Sequence, residues 1–168
     1  MAEFNSAENL NMNLAENLST DVMTGGLDER MFLYFRLSGS MKKADGVDII
    51  VSFLMESGVK MILKDLDQAL QRGAKIRILT GNYLGITQPS ALYLIKRKLG
   101  DQVDLRFYND PKRSFHPKAY MFHYATYSEM YIGSSNVSRS ALTSGIEWNY
   151  RFNSKTDPES YQKFYETF

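Results

Sequence analysis

Val47-Asp48-Ile49-Ile50-Val51-Ser52-Phe53-Leu54 is a β-branched, nearly continuous apolar run, and Lys75-Ile76-Arg77-Ile78-Leu79-Thr80 is a second, shorter one. Between them Val59, Ile62, Leu63, Leu66, Ala69 and Leu70 fall on one stripe of a helix, with Lys60, Lys64, Asp67 and Gln71 off it. A strand with little polar alternation is one covered on both faces, and a 3.6-residue apolar period is a helix that buries one side. Gly73 can close that helix. The run therefore predicts strand, helix, strand, the unit of an α/β sheet with parallel neighbours.

The pattern extends in both directions. After a loop from Gly81 to Gln88, Pro89 suits the first turn of a helix running to Leu99, which Gly100 ends. Val103, Leu105 and Phe107 then alternate with Asp104, Arg106 and Tyr108 in a third strand, nearer an edge or half solvated. Further on, Lys118–Tyr124 and Glu129–Ile132 predict a hairpin pair, Ser138–Thr143 a short helix and Glu147–Phe152 a last strand. Tyr161, Phe164, Tyr165 and Phe168 have helical spacing, and this aromatic finish suggests a domain cut from a longer protein. Upstream, Leu27–Lys43 predicts a largely buried helix. Residues 1–26, rich in Asn, Ser and Glu and with Ala-Glu-Asn-Leu occurring twice, are expected to form a flexible extension to a domain spanning 27–168. The fold class expected is α/β: one domain with a mixed, largely parallel sheet flanked by helices.

Composition limits the function. A chain of 168 residues with 43% apolar side chains suits a single globular domain. Its 20 basic and 19 acidic side chains nearly cancel, so attraction to a polyanion must come from local clusters. Cysteine is absent, which removes disulfides, thiolate metal sites and cysteine nucleophiles. With no apolar run of membrane-spanning length and no secretory pattern, the expected location is cytoplasmic.

The chemistry concentrates between His116 and Asn149. His116 and Lys118 lie two residues apart on an extended segment, so both side chains reach one ligand. Gly133-Ser134-Ser135-Asn136 reads as a turn where hydroxyl, amide and backbone N–H groups converge. A phosphodiester needs that inventory: fixed donors, a cation and a nucleophile, which an imidazole can be. Glu147, on a neighbouring strand, could hold the other imidazole nitrogen. Lys112, Arg113 and Arg139 are candidates for contacting a nucleic-acid backbone, and Thr80, Tyr83 and Ser135 for contacting substrate. A zinc site from His116, His123 and Glu129 is disfavoured, because residues seven apart on a strand face opposite sides.

His116-Pro117-Lys118 followed by Gly133-Ser134-Ser135-Asn136 resembles the signature of the phospholipase D superfamily, with Glu147 where its small bacterial nucleases carry a glutamate. The Thr80-Gly81-Asn82-Tyr83 loop and the Gly145-Ile146-Glu147-Trp148-Asn149 run are further similar to the nuclease domain found in front of some bacterial superfamily-2 helicases of restriction or repair systems. The resemblance implies that His116 attacks phosphorus to form a phosphohistidine, that Lys118 and Asn136 hold the phosphate, that Ser134 assists and that Glu147 orients His116. It implies no metal or other cofactor. The superfamily uses two such motifs and this chain has one, so a homodimer joined through the active-site face is expected to complete the site, with DNA as substrate and an attached helicase domain as a possible context. The motif aspartate, five positions after the lysine, is replaced by His123. Two alternatives stand beside the nuclease reading: a non-catalytic DNA-binding and dimerisation module, and a phospholipid phosphodiesterase.

Overall fold

The computed structural model describes residues 21–168. Seven strands form one sheet in the order β1-β7-β6-β5-β2-β3-β4. They are β1 (Val22–Gly25), β2 (Gly46–Val51), β3 (Lys75–Gly81), β4 (Val103–Tyr108), β5 (Lys118–His123), β6 (Ser128–Gly133) and β7 (Ile146–Asn153). Five helices accompany them: α1 (Leu33–Met41), α2 (Glu56–Gln71), α3 (Pro89–Leu99), α4 (Arg139–Leu142) and α5 (Pro158–Tyr165).

The β2-α2-β3-α3-β4 half is as the sequence predicts, with β2, β3 and β4 parallel. The other half corrects the expectation of a largely parallel sheet. Pairings β2·β5, β5·β6, β6·β7 and β1·β7 are all antiparallel. The physical reason lies in the connection from Tyr108 to Lys118, which holds no helix to carry the chain back across the sheet.

The N-terminal boundary also moves. Val22–Gly25, expected in the extension, is an edge strand with Val22 opposite Tyr150. The rest of the expected extension, residues 1–20, lies outside the described residues. The helix expected over Leu27–Lys43 is a 3-10 turn at Glu29–Met31 followed by α1.

Two unequal cores result. Val47, Ile49 and Val51 of β2, Ile76 and Ile78 of β3 and Tyr120 and Phe122 of β5 pack against the stripes of α1, α2 and α3. On the opposite face Ala119, Met121, Met130 and Phe152 form a smaller core with Tyr161 of α5. That face is only partly covered: Ile146, Trp148 and Tyr150 of β7, Val22 of β1 and Phe164 near the end of α5 remain exposed. Among the described residues no helix is long and apolar enough to cross a membrane.

Because β5 runs against β2, Lys118 lies opposite Val51 at the carboxyl ends of the parallel strands. The end of β6 and the start of β7 come to the same edge, with Ala119 opposite Ile132 and Gly133 opposite Asn149. Ligands of open α/β sheets collect at this edge.

Candidate active site

His116 stands on the loop 109–117 just before β5, and its backbone is held on both sides. The Phe115 ring stacks on Tyr108 (centroids 4.6 Å apart) and packs on Gly81, where a Cβ would come within 2.8 Å of that ring. The Pro117 carbonyl accepts the Ser52 hydroxyl at 3.1 Å. The imidazole itself is exposed and lies against the Tyr83 ring, centroid to centroid 4.2 Å with the planes 40° apart. Partial burial, and then the nearby Lys118 ammonium, hold its pKa below the ordinary imidazole value, which favours the neutral ring.

Lys118 is 8% exposed and its Nζ donates to the His116 carbonyl at 3.0 Å. Burial pushes its pKa down while Glu147 pulls the other way. His116 and Lys118 share the wall of a cavity of about 340 Å³ with Ile50, Met121, Met130 and Phe168.

Ile132 and Gly133 at the end of β6 line the same cavity, and the turn follows them. Gly133 passes so close to the Trp148 carbonyl that no side chain fits there. The Ser134 hydroxyl donates to the Glu147 carboxylate and accepts the Trp148 N–H at 3.0 Å. Asn136 is buried, and its Oδ1 accepts the Phe53 N–H at 3.2 Å, which leaves its two N–H groups as the donors that a phosphate oxygen could use. Arg139 opens α4, exposed, with its backbone N–H on the Ser57 hydroxyl in the first turn of α2 at 3.3 Å. Lys112 and Arg113 are exposed on the loop that carries His116.

Three sequence expectations need correction. Thr80 is fully buried on the helix-covered face beside Ile76 and Ile78, so it meets no substrate. Ser135 is also fully buried, donating to the Ala141 carbonyl at 3.1 Å and accepting the Asn149 amide at 2.9 Å; its role is to brace the turn. Glu147 does not bond to His116; its carboxylate accepts the Ser134 hydroxyl instead. Ser52 and Phe53 were missed as supports of the site, although a serine just past the carboxyl end of β2 is a readable signal.

With this geometry in place, the comparison by sequence is decisive: residues 38–168, well over half of the chain, match the family described as cardiolipin synthase, PLD-like domain. The chain belongs to the phospholipase D-like domain family. Among solved structures, the phospholipase D-like fold is shared with Nuc from Salmonella typhimurium, a phospholipase D family member (19% identity, TM-score 0.58, covering 79% of this chain and 84% of that one). It is likewise shared with NucT from Helicobacter pylori (16% identity, TM-score 0.57, 78% and 82%). Polyphosphate kinase from Porphyromonas gingivalis contains a similar region (14% identity, TM-score 0.62, 88% of this chain and 21% of that one). At such identities the likeness is one of fold. No curated protein is matched by the sequence.

Against that phospholipase D-like frame the motif's departure takes on a structural meaning. His123 ends β5 about 16 Å from Lys118 along the strand, so it is remote from the site. Its Nε2 bonds Asp48 Oδ2 at 2.7 Å and its Nδ1 bonds the Ser128 hydroxyl at 3.1 Å. Arg77 reaches the same buried carboxylate with bonds of 2.7 and 2.5 Å. In this contact the buried carboxylate stands on β2 and the imidazole at the end of β5. Hydrogen bonds from Arg77 and His123 overcome the burial penalty and hold Asp48 below the usual carboxylate range.

Proposed function

We propose that the protein is a metal-independent phosphodiesterase that cleaves DNA through a phosphohistidine on His116, in a site completed by a second copy of the chain. The observation that carries the reading is the nearness of the His116 imidazole, the Lys118 ammonium and the Glu147–Ser134 pair, with Gly133 at the head of the turn lining the same cavity as His116 and Lys118. A ring nitrogen of His116 attacks phosphorus and the P–O bond to the leaving group breaks. The partner copy's imidazolium gives its proton to the departing oxygen, and then, as neutral base, takes one from the water that breaks the P–N bond. Lys118 and the Asn136 amide balance the charge that gathers on the non-bridging oxygens.

What supports the second copy is the half-covered sheet face. Ile146 (83% exposed), Trp148 (74%), Tyr150, Val22 and Phe164 make an apolar surface next to the cavity, of the kind that marks an association site. Exposed Lys112, Arg113 and Arg139 support a polyanionic substrate, and the sequence resemblance supports a place beside a helicase in a restriction or repair enzyme. The test is plasmid cleavage in excess EDTA by the wild type and His116→Ala. Metal-dependent cutting, or cutting that survives the substitution, would refute the mechanism.

One observation favours a second reading. The cavity beside His116 and Lys118 is mainly apolar, and the matched family's description names cardiolipin synthase, so a phospholipid phosphodiester is the competing substrate. Release of phosphatidic acid from anionic vesicles, with no cutting of DNA, would select it. The non-catalytic module loses its main support, since His123 lies away from the site.

A further inference from the structure

We infer that Tyr83 is the positioning residue of His116, in the place that the family resemblance gives to Glu147, and that Glu147 serves the phosphate-holding side of the site instead. The inference rests on the phosphodiesterase reading above.

An imidazole that attacks phosphorus must keep its ring within a narrow range of orientations, and a misplacement of about 1 Å can cost on the order of a hundredfold in rate. His116 is an exposed side chain with two rotatable bonds. Among the described residues no side chain hydrogen-bonds either of its ring nitrogens, and the bond from Lys118 goes to its backbone carbonyl. What the ring does have is the Tyr83 ring at 4.2 Å. That tilted contact limits the rotation of the imidazole without using a hydrogen bond to either ring nitrogen.

The loop is built to keep Tyr83 there. Its base is pinned by Thr87, whose hydroxyl donates to the Gly81 carbonyl and accepts the Leu54 N–H at 3.3 Å, and by the Gln88 N–H on the Leu54 carbonyl at 2.9 Å. Between these anchors the Gly85 N–H closes on Asn82 and the Ile86 N–H on Tyr83, both at 3.1 Å. Closing so tight a turn puts Leu84 at φ 52, a left-handed conformation that costs a branched side chain roughly 1–2 kcal/mol, while Gly85 takes φ 72 without penalty. A strained residue held by its surroundings marks a position where geometry matters, and here the strained residue directly follows Tyr83.

Glu147 faces the other way. Its carboxylate holds the Ser134 hydroxyl, and its charge favours the protonated form of Lys118. Both effects bear on phosphate binding.

The experiment combines proton NMR of the histidine ring signals with hydrolysis of bis(4-nitrophenyl) phosphate, in the wild type, Tyr83→Ala, Tyr83→Phe and Glu147→Gln. The chain has only two histidines, so the signal lost in His116→Gln identifies His116. In Tyr83→Ala the His116 protons are expected to move downfield as the ring current disappears. Their titration midpoint rises toward the ordinary imidazole value, and kcat falls roughly tenfold or more with KM little changed. Tyr83→Phe restores all three, whereas Glu147→Gln leaves the His116 shift in place and raises KM. The inference is overturned if Tyr83→Ala leaves the His116 shift and midpoint where they were, or if Glu147→Gln is the variant that moves them. If the wild type hydrolyses no phosphodiester, the proposed function fails, and the NMR comparison still decides which residue positions the ring.

Discussion

Replacing His123 with the aspartate that the family pattern carries at this position will weaken the domain. The wild-type imidazole bonds Asp48, whose side chain is only 4% exposed, at 2.7 Å. In His123→Asp a second carboxylate faces Asp48 in its place, while Arg77 alone remains to balance both. Two like charges about 5 Å apart repel by roughly 3 kcal/mol at an effective dielectric of 20. The lost hydrogen bond to a charged group adds about 1.5–3 kcal/mol. Side-chain relaxation, the 27% exposure of His123 and the surviving Arg77 reduce the sum, so the expected loss is about 2–4 kcal/mol. Urea unfolding followed by far-UV circular dichroism measures it. The pH dependence supplies a signature, with His123→Asn as the control that has neither the imidazole nor the new carboxylate. Crowding raises the folded-state pKa of one carboxylate of the pair above its unfolded value. Its penalty is therefore full at pH 7 and shrinks as pH falls toward that raised pKa. The gap between His123→Asp and His123→Asn should accordingly narrow from pH 7 to pH 5. An aspartate variant as stable as the wild type, or a gap that widens with acid, would refute the reasoning.

Other consequences can be checked in parallel. The acid limb of kcat/KM for a small phosphodiester should lie below pH 6.5, because burial and Lys118 lower the His116 pKa and the attacking form is the unprotonated one; a limb above that value would contradict it. Trp148→Glu should give a monomer by sedimentation with an unchanged circular dichroism spectrum and little remaining cleavage, since the 74% exposed indole supports the surface between copies rather than the core. Gly58→Ala should lower stability by about 2 kcal/mol or more in a thermal melt, because its Cβ would lie 2.5 Å from the Val137 and Ser138 backbone, which cannot give way as a side chain would. Lys112→Ala should weaken DNA binding and make the slope of log affinity against log salt shallower by roughly 0.9, the effect of one phosphate contact, as read by fluorescence anisotropy.

The parallel half of the fold was legible because strands buried on both faces and amphipathic helices write different periods into the sequence. Strand direction was less so: β5 is as continuously apolar as β2 whichever way it runs. The helix-free connection from Tyr108 to Lys118 was the available signal, since a parallel return needs a crossover. β1 was hidden in a short Val-Met-Thr-Gly segment beside Gly26, stabilised by a partner far away in sequence. At the candidate site, the closeness of His116 to Lys118 was readable from their spacing, and that of Ser134 to Asn136 from their turn. Their partners were not, because whether Glu147 meets His116 or Ser134 depends on side-chain geometry that no spacing encodes. Thr80 is different: alternation along β3 already puts it with Ile76 and Ile78, so its burial could have been read.

The sheet order has a consequence for synthesis on the ribosome. β2, β3 and β4, with α2 and α3, emerge as one block of local crossovers before any residue from His116 onward leaves the tunnel. His116 and Lys118 then add against a finished scaffold, and Ser134 and Asn136 follow on the next strand. β1 is translated before all of them, yet its partner β7 is the last of the seven strands of this sheet. The nascent chain thus carries β1 unpaired until β7 emerges, and the step that seals the sheet is also the one that brings Glu147 to Ser134. Closure of the strand pairing with the longest sequence separation among the described residues and formation of the Ser134–Glu147 contact are a single late event.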